Sequence, residues 1–434
     1  MALGGGVFTT QNKVLPGSYI NFVSAARASA TLSDRGVVAL PIALNWGKEG
    51  EVFTVTQEDF QKKSLEIFGY DYAAAELMPL REVFLNANKV HVYNLNAGGV
   101  KAASTLATAK YAGSRGNSLK YTVTVNLDDE SKKDVVLYMG SSKVFSQTVA
   151  SAAELEDNEF VVWKKEASLT ETAGTPFTDG TNGAELTGAS YQTALDKLES
   201  YNFNVLVCPS KEAETVALFV AYTKRLRDQV GVKFQLVAYQ TLVDYEGVIS
   251  LENAVKGDDE IALVYWTAGA AAGCAVNKSN TNKKYDGELE VICSHTQSEL
   301  EAGIKAGKFL FHKVEDEVRV LTDVNTFVSI TDEKGEDFSS NQVIRVIDQC
   351  ANDTASIFNT KYLGKVQNDK SGRVSLWADI VAHRRQLETI RAIEDYDADA
   401  LIVDQGDSKK AVAVTEALKP TVAMEKLYMT IVIE

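Results

Sequence analysis

Several things are scarce in this chain, and each scarcity excludes a class of function. Cysteine occurs 4 times in 434 residues, at Cys208, Cys274, Cys293 and Cys350. These positions form no C-x-x-C pair and no disulfide grid. Cys208, Cys274 and Cys350 lie in apolar or helical contexts (VLVCPS, AAGCAV, VIDQCAN) and read as buried small hydrophobes of a protein made in a reducing compartment. Histidine also occurs 4 times, at His91, His295, His312 and His383, with no H-E-x-x-H. Cys293 and His295 would share one face of a strand, but no second ligand pair accompanies them, so core-edge or solvated histidines are the simpler reading. Positive charge is outweighed, 44 Lys and Arg against 59 Asp and Glu, a net charge of −15. A chain without a basic face does not have nucleic acid as its main partner. The same charge keeps a concentrated protein soluble before it assembles.

Long apolar runs are missing too. The most apolar stretch, IALVYWTAGAAAGCAV at 261–276, is short for a bilayer span and rich in Ala and Gly, which predicts a tightly packed core helix and no membrane insertion. The N-terminus shows no basic region followed by an apolar one, so no signal peptide is expected. There is no G-x-S-x-G elbow, no P-loop and no G-x-G-x-x-G after a strand, hence no expected catalytic, cofactor or metal site. Acidic runs such as EDNE (156–159) and EDYDADA (394–400) read as solvated faces.

What remains is an alternation of strands and helices. GVVALPIAL and KVHVYNLN read as strands. Thr56 to Asp59 reads as a cap opening a helix through Phe68. Residues 73–87 read as a helix with Pro79 as a possible kink. Residues 97–188 change character: short strand patterns separated by Gly, Asp, Asn and Ser clusters, then a polar loop over 170–188. From 189 the alternation resumes, with a long helix after Ser210 as its expected cap, strands VKFQLVAY, LEVICS and KFLFHKV, and a helix from Thr296. Such alternation implies a mostly parallel sheet with helices on its faces. Residues 339–418 read as two long helices followed by strands ALIVDQ and KAVAVTEAL. His383-Arg384-Arg385 is a basic cluster on the second helix, either a solvent-facing turn or a docking patch for an acidic surface.

Both ends carry strand patterns. SYINFVSA follows a Gly-rich leader, and KLYMTIVIE closes the sequence with Leu427, Met429, Ile431 and Ile433 on one face. A sticky terminal strand needs a partner, within the chain or outside it.

Six stretches in order along the chain carry a resemblance: NKVLPGSYINF, AKYAGSRGNSLKYTV, VLTDVNTFVS, NQVIRVIDQCANDTASIFNTKYLGKVQND, GRVSLWADIV and AMEKLYMTIVIE. Together they resemble the tail sheath family of contractile bacteriophage tails and phage-tail-like particles. The resemblance implies an α/β and α+β multidomain fold with a central mixed sheet flanked by helices, subtilisin-like. It implies an N-terminal arm (1–26), a central α/β domain (27–96 with 189–338), an inserted β-rich domain facing outward (97–188), a C-terminal α+β domain (339–418) and a C-terminal arm strand (419–434). The subunit would polymerise as stacked hexameric rings around an inner tail tube and contract to drive that tube through a host envelope. The arms would exchange strands between subunits through Tyr19, Ile20, Phe22 and Val23 at one end and Leu427, Met429, Ile431 and Ile433 at the other. The Gly-rich leader and Lys419-Pro420 would act as hinges. Arg373, Arg384 and Arg385 would face the tube. No cofactor is implied. The implied partners are further copies of itself, the inner tube protein, and baseplate and tail terminator proteins. The implied location is a virion tail or phage-tail-like particle, made in the bacterial host cytoplasm. A competing reading is an α/β-fold hydrolase with an unrecognised site, and a third is another self-assembling surface or capsid-like protein.

Overall fold

The computed structural model describes residues 32–433. The described residues open with β1 (Val37–Ile42) and β2 (Val52–Thr56), then α1 (Gln57–Phe68), α2 (Met78–Phe84) and β3 (Lys89–Asn94). Thr56 caps α1, its Oγ1 accepting the Asp59 amide at 3.1 Å, and Gly69 ends it in the left-handed region. Pro79 does not kink a longer helix. It stands in the first turn of α2, where its missing N–H costs nothing, and a 3-10 turn at Ala75–Leu77 precedes it.

The inserted segment supplies β4 (Ala107–Ala109), β5 (Leu119–Val125), β6 (Lys133–Met139), β7 (Ser142–Val149), β8 (Val161–Trp163) and β9 (Thr172–Pro176). β9 falls inside the stretch expected to be a polar loop. A four-stranded antiparallel sheet, β7-β6-β5-β9, and the pair β4-β8 enclose a separate core. Trp46, from the loop after β1, is fully buried in that core and meets Tyr111 edge-on at 5.4 Å.

After the insertion come α3 (Gly188–Leu198), β10 (Val205–Val207), α4 (Ala213–Lys224), β11 (Gln235–Tyr239), β12 (Val248–Leu251), α5 (Leu263–Gly273), α6 (Gln297–Lys305) and β13 (Lys308–Phe309). Ser210 does not cap α4. It lies two residues before the cap position, its Oγ accepts the amide of Glu212, and α4 begins without a side-chain cap. LEVICS forms no strand beyond a single bridge, Val255 to Val291. KFLFHKV divides between β13 and β14 (Phe311–Val314), which forms a hairpin with β15 (Glu317–Val320).

Strands from before and after the insertion share one seven-stranded sheet, ordered β13-β12-β11-β10-β1-β3-β2. Every neighbouring pair is parallel except β2 with β3. Alternate residues feed two cores. Val38, Leu40, Val90, Val205 and Val237 meet α2 and α5 on one face, while Ala39, Leu206, Leu236 and Ala238 meet α3 and α4 on the other. α5 is buried through Ala272, as its composition predicts. A Cβ at Gly269 or Gly273 would collide with the carbonyl oxygens of Val83 and Asn86, so these glycines let α5 lie directly on α2.

The last region is built on α7 (Asn341–Ile357) and α8 (Lys370–Thr389), followed by the antiparallel pair β16 (Ile402–Gln405) and β17 (Val412–Thr415). The fold is thus a mixed α/β, multidomain architecture of sheets and helices.

Candidate functional site: an unpaired arm beside an open hairpin

The terminal segment is anchored at its root and bare beyond it. Glu394 donates its amide to the Lys419 carbonyl at 2.9 Å, and Thr421 donates to the Ala392 carbonyl at 3.0 Å, so Pro420 bridges Ile393. The Ala423 amide reaches Gln342 Oε1 at 3.0 Å. The Glu425 carboxylate accepts from Thr281 Oγ1 at 2.6 Å and from Thr322 Oγ1 at 3.0 Å. Lys426 still lines a cleft of the body, and beyond it the side chains are largely exposed. Leu427 is 86% exposed, Met429 71%, Ile431 72% and Ile433 93%. Residues 421–433 join no sheet among the described residues. The strand pattern of KLYMTIVIE is real in the sequence, but nothing in the described chain pairs with it. A row of exposed apolar side chains on unpaired backbone is a template for another strand.

The pair β16–β17 is the complementary feature. Its inner residues Val403 and Val412 rest on Ile357, Tyr362, Leu376 and Ile380 of the two helices. No further strand flanks it among the described residues. Ile402 and Val414 remain largely exposed, as do Leu363, Val366 and Val374 in the same region. A cleft of about 100 Å³ opens beside Val412, lined by Phe358, Leu363, Val366, Leu376, Arg373 and Lys410. The sequence marks β16 and β17 as strands but not as an open edge.

The N-terminal arm residues Tyr19, Ile20, Phe22 and Val23 lie outside the described residues. The three arginines expected on one tube-facing surface diverge. Arg373 is half-buried and hydrogen-bonds Asn368 at 3.0 Å. Arg385 is exposed, paired with Glu388 at 2.6 Å and placed over the Tyr396 ring. Arg384 turns inward and is 2% exposed. It holds Glu416 at 2.5 Å, and this pairing more than offsets the burial that opposes its charge, so its pKa rises. His383 beside it is fully buried, so of the cluster 383–385 only Arg385 faces solvent.

Buried ion pairs that no motif announces join α7 to the preceding region. Asp348 takes Arg227 in two bonds at 2.6 and 2.9 Å, and Asp323 takes Arg345 at 2.6 Å. Cys293 and His295 sit in irregular backbone, and no group of three metal-ligating side chains occurs among the described residues. No helix among them is long and apolar enough to cross a membrane.

Known domain families cover the chain in order. A tail sheath domain III N-terminal region matches 35–95, a phage tail sheath beta-sandwich domain 97–182, a phage tail sheath central domain 184–326, and a phage tail sheath C-terminal domain 333–434. The phage-like element PBSX protein XkdK of Bacillus subtilis is 30% identical, over 99% of both chains. The crystal structure of a sheath tail protein from Desulfitobacterium hafniense is 35% identical and superposes with a TM-score of 0.80, covering 94% of this chain and 98% of that one. The helical sheath of the anti-feeding prophage in its contracted state shares the fold at 13% identity, with a TM-score of 0.54 over 96% of this chain and 99% of that one. With its open hairpin, its bare arm and these relatives, the chain belongs to the phage tail sheath family, a family of structural proteins and not of enzymes.

Proposed function

We propose that this subunit polymerises as stacked hexameric rings around an inner tail tube and that its contraction drives the tube through a host envelope. The observation that carries the proposal is the arm beyond Glu425, apolar on one face and unpaired. Each arm adds a strand to the β16–β17 pair of a neighbouring subunit, where backbone hydrogen bonds supply affinity and alternate side chains set the register. Leu427, Met429, Ile431 and Ile433 then cover the cleft beside Val412 and the exposed Leu363 and Val366. Full burial is worth about 1.5–3 kcal/mol for each such side chain, before the cost of ordering the arm. Tyr19, Ile20, Phe22 and Val23 supply a second added strand from the other arm. Arm and acceptor are different surfaces, so the contact is heterologous and propagates along a helix.

The division into a central domain (27–96 with 189–338), an inserted domain facing outward (97–188), a C-terminal domain (339–418) and two arms gives this scheme its parts. Arg373 and Arg385 on α8 are the tube-facing residues in it, and Arg384 serves inside the fold. The remaining partners are the tube protein at the inner surface and baseplate and tail terminator proteins at the two ends. The subunit is made in the bacterial host cytoplasm and resides in the tail of a virion or tail-like particle.

The test removes only the free part of the arm. Sedimentation and electron microscopy compare the full chain with one ending at Lys426, each with and without the tube protein. The full chain is expected to form tubes or large rings, and the shortened chain to stay monomeric with an unchanged unfolding midpoint. Equal assembly of the two overturns the reading, as does unfolding of the shortened chain.

A further inference from the structure

A line of polar contacts, buried in its middle, runs from the first described residues to the segment after β17. The Ser33 amide and hydroxyl donate to Asp353 at 3.3 and 2.6 Å, and Gln349 Nε2 bonds both groups, Ser33 Oγ at 2.6 Å and Asp353 at 2.7 Å. His383 Nε2 lies 2.7 Å from the same carboxylate, and His383 Nδ1 lies 2.7 Å from Arg384 Nη1. Guanidinium only donates and carboxylate only accepts. His383 is therefore held with its proton on Nε2, donating to Asp353, while Nδ1 accepts from Arg384. Arg384 donates onward to Glu416 through Nε and Nη2, at 2.5 to 3.2 Å, and to Thr354 Oγ1 at 3.0 Å. Leu32 and Leu418 then rest on one apolar cluster, with Val346, Cys350, Leu387 and Ile393.

The two ends of this line are the roots of the two arms. Ser33 follows the N-terminal arm, and Glu416 precedes the anchored Lys419-Pro420 segment. We propose that Asp353, His383 and Arg384 are positioning residues that couple the two arm roots, so that a disturbance at either root is felt at the other. The roots are separated by most of the sequence, yet both are held by side chains of α7 and α8. Asp353 accepts from both sides, from Ser33 and from His383, Arg384 donates to both sides, to His383 and to Glu416, and these middle members are buried. Replacing an end group takes one partner from a buried member, Asp353 or Arg384, and its remaining bonds, which it shares with the next member, must adjust. The consequence for the sheath, two strands leaving one body at a fixed mutual angle, rests on the arm-exchange reading above. The coupling itself does not.

Hydrogen exchange of the full chain, in the unassembled state, tests the coupling. Glu416→Gln is expected to speed exchange of the Ser33 amide by about threefold or more, the scale of coupling within one polar network. Ser33→Ala is expected to speed exchange in Val412–Thr415 and reads the same line from the other end if Glu416→Gln folds poorly. Glu416→Asp, which keeps the charge, should restore most of the protection at Ser33. Glu425→Gln, at the arm root but off the line, should leave Ser33 unchanged. If each variant alters exchange only at its own end, the contacts are independent and the inference falls. Loss of coupling with intact dependence of assembly on residues 427–434 would sink this inference alone. Coupling present with assembly indifferent to those residues would sink only the arm reading.

Discussion

β11 and β12 read QLVAY and VISL, and the arm reads KLYMTIVIE. All three are short, apolar and rich in residues that favour strands. Leu236, Val237 and Ile249 are fully buried between parallel neighbours, whereas Ile431 stands 72% exposed with no neighbour. The side-chain chemistry is the same, so it is not what separates them. α4 returns the chain to β11, residues 240–247 carry it on to β12, and α5 and α6 lie between β12 and β13, so each of these strands is placed beside a parallel neighbour of the same sheet. The described part of the arm joins no sheet beyond the Glu425 anchor. Composition specifies that a segment will pair, and chain topology specifies with what. A protein that buried every strand internally would blunt such an edge with charges or prolines. Here Lys426 precedes the apolar face and no charge interrupts it through Ile433.

The comparison can first be broken at the core. Trp266 is fully buried on α5 against Tyr285 and Phe311, and its Nε1 donates to Asp286 at 2.7 Å. Trp266→Ala leaves a cavity and an acceptor without its donor, and should cost about 3–5 kcal/mol of stability. Urea unfolding with the arm present and absent should show the same loss. A loss that depended on the arm would mean that the central sheet does not stand alone.

A smaller effect is expected from acid. Burial pushes the Asp353 carboxyl up, but donors from His383, Ser33 and Gln349 outweigh it and hold the group below its ordinary value. A carboxylate with a depressed folded pKa adds stability above its unfolded pKa, about 3.9, and that stability is lost as pH falls through the folded value. Urea midpoints between about pH 6 and pH 3 should therefore fall more steeply for the native chain than for Asp353→Asn. Parallel curves would show that the hydrogen bonds do not favour the charged form.

Much of this architecture is legible in the sequence. The strands β1 and β3, the apolar, Ala- and Gly-rich α5 and the long α7 and α8 follow from composition and periodicity. So does the strand pattern of the terminal arm, whose lack of a partner only the structure reveals. Other features depend on contacts far apart in sequence. Arg384 is indistinguishable from Arg385 by composition, and only Glu416, brought in by the β16–β17 turn, makes one buried and the other exposed. The pairs Arg227–Asp348 and Arg345–Asp323 leave no local signal for the same reason. β2 (VFTVT) and β12 are short, and their status as strands comes from the neighbours that receive them. Ser210 and Pro79 show that a capping or breaking residue fixes a helix end only to within a turn.

The smallest effect on the monomer sharpens the comparison most. Ile431→Lys changes a side chain that touches little in the isolated subunit, so the unfolding free energy should move by no more than about 0.5 kcal/mol. In a pairing with β16–β17 the same lysine would bring an unpaired charge against Leu363, Val366 and the cleft beside Val412, where desolvation has no compensating partner. Assembly measured by sedimentation should then collapse while stability stays level. Thr430→Lys places the same charge on the opposite face of the strand, because successive side chains alternate. It should leave assembly largely intact, since that lysine reaches solvent. Equal effects of the two variants would mean that the arm does not bind as a strand with one buried face. Equal absence of effect would mean that the arm is not the connector, and the exposed apolar row would then need another occupant.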